Sequence, residues 1–187
     1  MNILIDALPE AVAVDGREFA IHSDFRTALR ILMAFEDNSL AGVEKQAILI
    51  ANLYKEQPEN LRMAYDAGVR FLNMGEEPRE EDSGPRVYSF CKDARLIFAA
   101  FRQTHGIDLS TADLHWWKFL ALFMDLGAET VFCQLIGLRK RIKTGKATKE
   151  ERHLAHEMGD IFDLPDVDTR TLDEREREAE FMRLLKG

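Results

Sequence analysis

Histidines and carboxylates spaced three or four residues apart on a helix can chelate a metal ion. One such set occurs here: His153 and His156, with Glu157 beside them and Asp160 beyond. The spacing puts both histidines on one helical face. The zinc-protease pattern His-Glu-x-x-His is absent, and a solvated polar face is the plainer reading. Thr144-Gly145-Lys146 has the letters of a phosphate loop but lacks the Gly-x-x-x-x-Gly-Lys-Ser/Thr layout, and it follows a basic helix rather than a strand. There is no Gly-rich dinucleotide fingerprint and no Gly-x-Ser-x-Gly elbow. His22 and His105 are scattered, and His115 lies in an aromatic segment, where a core or interface role fits better than that of a base. The residues therefore offer no catalytic centre, no cofactor site and no metal site. They favour a binding or assembly protein over an enzyme.

Two features point to recognition instead. Arg139, Lys140, Arg141, Lys143 and Lys146 place five cations within eight positions, with Lys149 and Arg152 following. This basic patch is read first as a solvated face. It could also meet an acidic loop or tail of another copy, or nucleic acid. The net charge of -8 weighs against nucleic acid.

The second feature is Leu114-His115-Trp116-Trp117-Lys118-Phe119-Leu120-Ala121-Leu122-Phe123, which holds both tryptophans. It is too short and too interrupted by polar residues to span a membrane. It predicts a helix from Thr111 or Ala112 to Leu126, apolar on nearly every side, as in a bundle centre or an interface. Ser110 with Asp113 resembles its capping box, and Gly127 its stop. Adjacent residues on a helix point about 100° apart, so burying both tryptophans requires cover on two sides. A core role is the plainer reading; in the other, a bundle supplies one side and a partner the second. Trp116, Trp117, Phe119, Leu120 and Phe123 are thus the candidate protein-binding residues.

The elements that must position these residues follow from periodicity and punctuation. The chain has 187 residues, 46% hydrophobic and 31% charged, enough for a sizeable core. Asp15-Gly16 between Ala11-Val12-Ala13-Val14 and Glu18-Phe19-Ala20-Ile21 predicts a β-hairpin. Ser23 or Asp24 caps a helix to about Phe35, a second runs from about 43 to 55, and a third from near Pro58 to Leu72. Further helices are expected from about Tyr88 to His105, over 129–143, and from a Thr148/Glu151 capping box to about Phe162. Thr171 with Glu174 opens a charged terminal helix to Leu185. The fold class is mainly α: a bundle of about seven to eight helices with a small N-terminal β-hairpin. Its parts are residues 1–74 (hairpin and first helical group), 75–87 (an acidic Pro/Gly-rich loop), 88–165 (the aromatic-centred core, packing on the first group) and 166–187 (a peripheral charged helix).

Cys91 and Cys133 have no metal or redox spacing and are expected as buried thiols in a reducing compartment. The N-terminal residues lack a signal-peptide pattern. No segment reads as membrane-spanning, so a cytoplasmic protein is expected.

Several stretches together resemble the phage gene-product-fifteen family of siphophages and prophages. They are Leu8-Pro9-Glu10, Val14-Asp15-Gly16, Ile21-His22-Ser23-Asp24-Phe25-Arg26, Asp93-Ala94, Ile97-Phe98-Ala99-Ala100-Phe101, Gly106-Ile107-Asp108-Leu109, Leu114-His115-Trp116-Trp117-Lys118-Phe119, Leu122-Phe123, Ile136-Gly137-Leu138-Arg139 and Leu164-Pro165. The most specific is His-Trp-Trp-Lys-Phe after Gly-Ile-Asp-Leu. The likeness covers most of residues 1–165. Family genes lie between those of the tail tube and the tape-measure protein of long-tailed phages. The resemblance implies a non-enzymatic tail assembly chaperone in the host cytoplasm, coating the phage tape-measure protein while tube subunits polymerise around it. It implies the tape-measure protein as partner, with the tail tube protein and a homo-oligomer also open, and carries over no catalytic residue. A structural connector retained in the tail is the alternative, with a metal- or nucleic-acid-binding protein behind it.

Overall fold

The computed structural model describes residues 2–77 and 84–164. The expected terminal helix, its Thr171/Glu174 box and the middle of the acidic loop lie outside the described residues.

The hairpin forms as its turn chemistry dictates. Strands β1 (Ala11–Val14) and β2 (Arg17–Ala20) pair antiparallel, with Ala11 opposite Ala20 and Val14 opposite Arg17. Asp15 and Gly16 both take positive φ, 52° and 77°, the backbone twist that suits a two-residue hairpin turn. Val14 and Phe19 turn inward, and β1 lies on the third helix. The chain leaving β2 is held by His22 N–H donating to the Leu53 carbonyl (2.8 Å) and Lys55 N–H to that of Ala20 (3.0 Å).

Seven α-helices follow among the described residues. α1 (Phe25–Glu36) is capped by Asp24, whose carboxylate accepts the Thr27 N–H at 3.0 Å. α2 (Gly42–Leu53) begins where the Ala41 N–H donates to Glu44 Oε2 at 2.7 Å. α3 (Leu61–Leu72) starts later than expected, because Asn60 is its cap and Pro58 is buried in the preceding turn. α4 (Ala94–His105) also starts later than its apolar pattern suggests. Ser89 N–H donates to Asp93 Oδ2 (3.0 Å) and Lys92 N–H to Ser89 Oγ (3.1 Å), so residues 89–93 form a turn instead.

α5 (Trp116–Met124) is shorter than the predicted Trp-Trp helix. The Asp108 side chain accepts from the Ser110 N–H (2.9 Å) and hydroxyl (2.6 Å), which consumes the residue expected to cap it. α6 (Val131–Lys143) is capped by Thr130, and α7 (Lys149–Met158) by the predicted Thr148/Glu151 box. A 3-10 turn, Gly159–Ile161, ends the described chain's regular structure.

The core gathers around Phe119. Its ring stacks on Phe101 (4.8 Å between centroids), Phe25 (5.1 Å) and Trp116 (5.6 Å), so α1, α4 and α5 meet there. Such pairs add to the area burial of large rings. Gly68 of α3 lets α2 approach closely, since a Cβ there would sit 2.5 Å from Leu49 Cδ2. The cysteines depart from expectation: Cys91 is exposed on the turn before α4, and Cys133 is half-buried on α6.

Candidate functional site

The aromatic segment is anchored before α5 begins. Trp116 N–H donates to the Ser23 carbonyl (2.7 Å) and Phe25 N–H to that of Leu114 (3.0 Å), a short antiparallel pairing between the starts of α1 and α5. His115 is the cap of α5. Its Nδ1 accepts the Trp117 N–H (3.0 Å), so the ring proton belongs on Nε2, which donates to the Pro9 carbonyl (3.0 Å). Arg26 clamps the preceding loop, donating to the carbonyls of Leu109 (2.9 Å), Ser110 (3.1 Å) and Ala112 (2.9 Å). Stretches far apart in sequence thereby become one assembly.

The two tryptophans are covered on both sides by this chain itself. Trp116 Nε1 donates to the Leu72 carbonyl (2.9 Å), and Trp117 Nε1 to the Phe71 carbonyl (2.8 Å). These carbonyls end α3, where intrahelical partners run out. The indoles satisfy them while burying their rings; Trp116 is 1% exposed and Trp117 6%. Of the five candidate binding residues, Trp116, Trp117 and Phe119 are therefore core, and Leu120 and Phe123 are half-buried. Trp-Trp burial needs no partner, in line with the core reading of these two residues rather than the partner reading.

The basic patch is corrected at one position. Arg139 is 0% exposed, the largest polar side chain in the interior. Its guanidinium makes a two-pronged bond to Asp93, at 2.7 and 3.1 Å. It also donates to the carbonyls of Phe162 (2.7 Å), Ile161 (2.8 Å) and Val87 (3.2 Å). Five donors meet five acceptors. Lys140, Lys143 and Lys146 are exposed, and Arg141 pairs with Glu151 at 2.8 Å. That bond from Arg141, with the Thr148 N–H, holds the Glu151 carboxyl below its usual value.

His153 and His156 are exposed, and His153 lies 3.4 Å from Glu157. No group of three or more metal donors occurs among the described residues. No described helix is long and apolar enough to cross a membrane.

What α5 does present outward is one wall of a groove of about 790 Å³, lined by apolar side chains together with Asn73, Glu76 and Glu77. Leu120 and Met124 form that wall, Leu72 and Met74 come from the end of α3, and Leu32 comes from α1. Tyr88 and Phe90 also line it, and Asn73, Glu76 and Glu77 add polar surface. Met124 is 80% exposed. A second depression, about 390 Å³, shares Leu32, Tyr88 and Phe90 as walls and continues toward Phe35 and Pro85. Burial, with the nearby Glu36 carboxylate, keeps the Tyr88 phenol above its ordinary value and so uncharged.

Glu36 fixes the segment that carries Tyr88 and Phe90. Its carboxylate accepts from the Ser89 hydroxyl (2.5 Å), the Phe90 N–H (2.9 Å) and the Cys91 N–H (3.4 Å), and it pairs with Arg86 at 3.0 Å. Only Leu120, Trp116 and Trp117 of the groove were singled out by sequence. Leu72, Tyr88 and Met124 carried no local signal beyond being apolar.

A mainly helical bundle with an open, partly apolar groove between α1, α3 and α5 is the class of protein that fold and site define. The chain matches the family described as Bacteriophage Gp15 protein over residues 4–164. It belongs to that family and is a phage-type protein. No curated protein and no solved structure matches it.

Proposed function

We propose that this protein is a tail assembly chaperone that shields the phage tape-measure protein while the tail tube is built. The observation that carries the reading is an open groove with an apolar wall of Leu72, Leu120 and Met124 and an acidic edge of Glu76 and Glu77, on a member of the Bacteriophage Gp15 protein family. An amphipathic helix binds such a groove by laying its apolar stripe into it. The groove spans only part of one face, so it suits a short stretch of a long helical partner, with many copies coating the whole. The net charge of -8 keeps the coated complex from aggregating. Arriving tube subunits then displace the copies one by one, a step that requires modest affinity at each groove.

The test is co-expression with the tape-measure protein encoded nearby, followed by pull-down. Wild type is expected to co-purify and to keep its partner in solution. Met124→Asp, at a solvent-exposed position of the groove wall, leaves the fold intact and reduces recovery at least tenfold, equivalent to about 1.4 kcal/mol. Absence of co-purification by wild type, or full retention by Met124→Asp, overturns the proposal. Stoichiometric presence in purified tails would instead favour a connector.

A further inference from the structure

We infer that the carboxy-terminal segment of this same chain folds back onto the smaller depression beside Val87, with Phe181, Leu184 and Leu185 seated in it. The depression holds about 390 Å³. Phe35, Pro85 and Val87 belong to it and not to the groove, while Leu32, Tyr88 and Phe90 are shared. Its two charged lining residues, Glu36 and Arg86, pair with each other at 3.0 Å. The surface left to cover is therefore apolar, and an apolar occupant need break no charge pair to enter.

The occupant follows from where the described chain ends. Arg139 donates to the Ile161 and Phe162 carbonyls (2.8 and 2.7 Å) and, from the same guanidinium, to that of Val87 (3.2 Å). The chain therefore passes Leu164 close to a wall of the depression. Residues 165–187 follow. Over half of them are charged, and apart from Val167 and Leu172 their large apolar side chains gather at the end, as Phe181, Met182, Leu184 and Leu185. On the helix expected from the Thr171/Glu174 box, Phe181, Leu184 and Leu185 share a face. The reach also closes. Residues 165–170, extended, carry the chain about 20 Å out, and the helical stretch from Thr171 to Phe181 returns it about 15 Å. Phe181 comes back toward Val87 without stretching the chain. A tethered segment has an effective concentration in the millimolar range, so a contact of a few side chains is enough to hold it.

The inference does not rest on the chaperone reading, and the full chain alone tests it. With the photocrosslinker benzoylphenylalanine in place of Phe181, irradiation is expected to join position 181 to residues 32–36 or 85–90 of the same chain, in a product that runs as a monomer. Crosslinks mainly to other parts of the chain, crosslinks to a second copy, or none at all overturn the inference. Hydrogen exchange gives the second measure. Wild-type amides at 182–185 and at 86–88 are expected to exchange roughly tenfold more slowly than those of Phe181→Asp with Leu185→Asp, while the amides of α6 exchange alike in both proteins. Equal rates at either segment overturn the inference as well. None of these results alters the pull-down expected of Met124→Asp, since Met124 lines the groove and not the depression.

Discussion

Removing Arg139 tests whether a buried charge holds the second half of this protein together. In Arg139→Leu, the Asp93 carboxylate keeps one donor, the Ser89 N–H, and loses the two bonds that balance its charge. The carbonyls of Val87, Ile161 and Phe162 lose a donor as well. Asp93 is only 2% exposed, so water cannot replace what is lost. Breaking one side of such a pair costs about 3–5 kcal/mol, a large part of the 5–15 kcal/mol typical of a domain. With a urea dependence of about 2 kcal/mol per molar, the unfolding midpoint falls by roughly 2 M. Lys140→Leu, one position on but exposed, stays within about 0.5 kcal/mol of wild type. A double variant, Asp93→Leu with Arg139→Leu, recovers part of the loss, because no unpaired charge remains. The reasoning is refuted if Arg139→Leu costs under 1 kcal/mol, or if the double variant is worse than the sum of the singles.

Two further outcomes follow from packing and burial. Burial pushes the Tyr54 phenol from 10.0 up to about 12, and its hydroxyl donates to the Ala64 carbonyl at 2.7 Å. Its folded value lies above the unfolded one, so its contribution is complete below pH 10 and fades as pH climbs toward 12. Tyrosinate absorbance should therefore rise late and together with loss of helical circular dichroism; an ordinary titration near pH 10 in the folded protein would contradict this. Gly68→Ala places a methyl group 2.5 Å from Leu49 Cδ2 and 3.0 Å from Leu53 Cδ2. It should lower stability by about 1–3 kcal/mol, read by urea titration, and an unchanged midpoint would mean that α2 yields freely.

Local chemistry was legible where the deciding partner lies close in sequence. Asp15-Gly16 sets its own turn, and Thr148 finds Glu151 three residues on. Propensity failed where a distant group decides. His115 is not a favoured cap, yet Trp117 and Pro9 make it one. Arg139 sits in a run of cations whose average reads as surface, and its burial depends on Asp93, 46 residues away. Asp93 also helps delay the start of α4, which the apolar pattern places near Tyr88. For the groove, sequence supplied the helices α1, α3 and α5 but not their meeting. Its walls join Ile3, Leu32 of α1, the end of α3 with residues 73–77, and residues 88–90 to α5, which only the folded chain assembles.

The bonds around His115 also bear on how the protein is made. Pro9 waits for a partner 106 residues downstream, and Arg26 for acceptors 83 to 86 residues away. The Phe25 N–H at the start of α1 and the Leu72 carbonyl at the end of α3 likewise gain these partners only with residues 114–116. At ribosomal speeds of 5–20 residues per second, the nascent chain reaches Trp117 after roughly 10 s. Until then, α1 and α3 can pack on α2 and the hairpin, while the surfaces that α5 covers stay open. The His-Trp-Trp sequence thus acts as a latch that arrives late in synthesis, and a chain cut short before it would expose the same apolar surfaces that the finished protein keeps folded away.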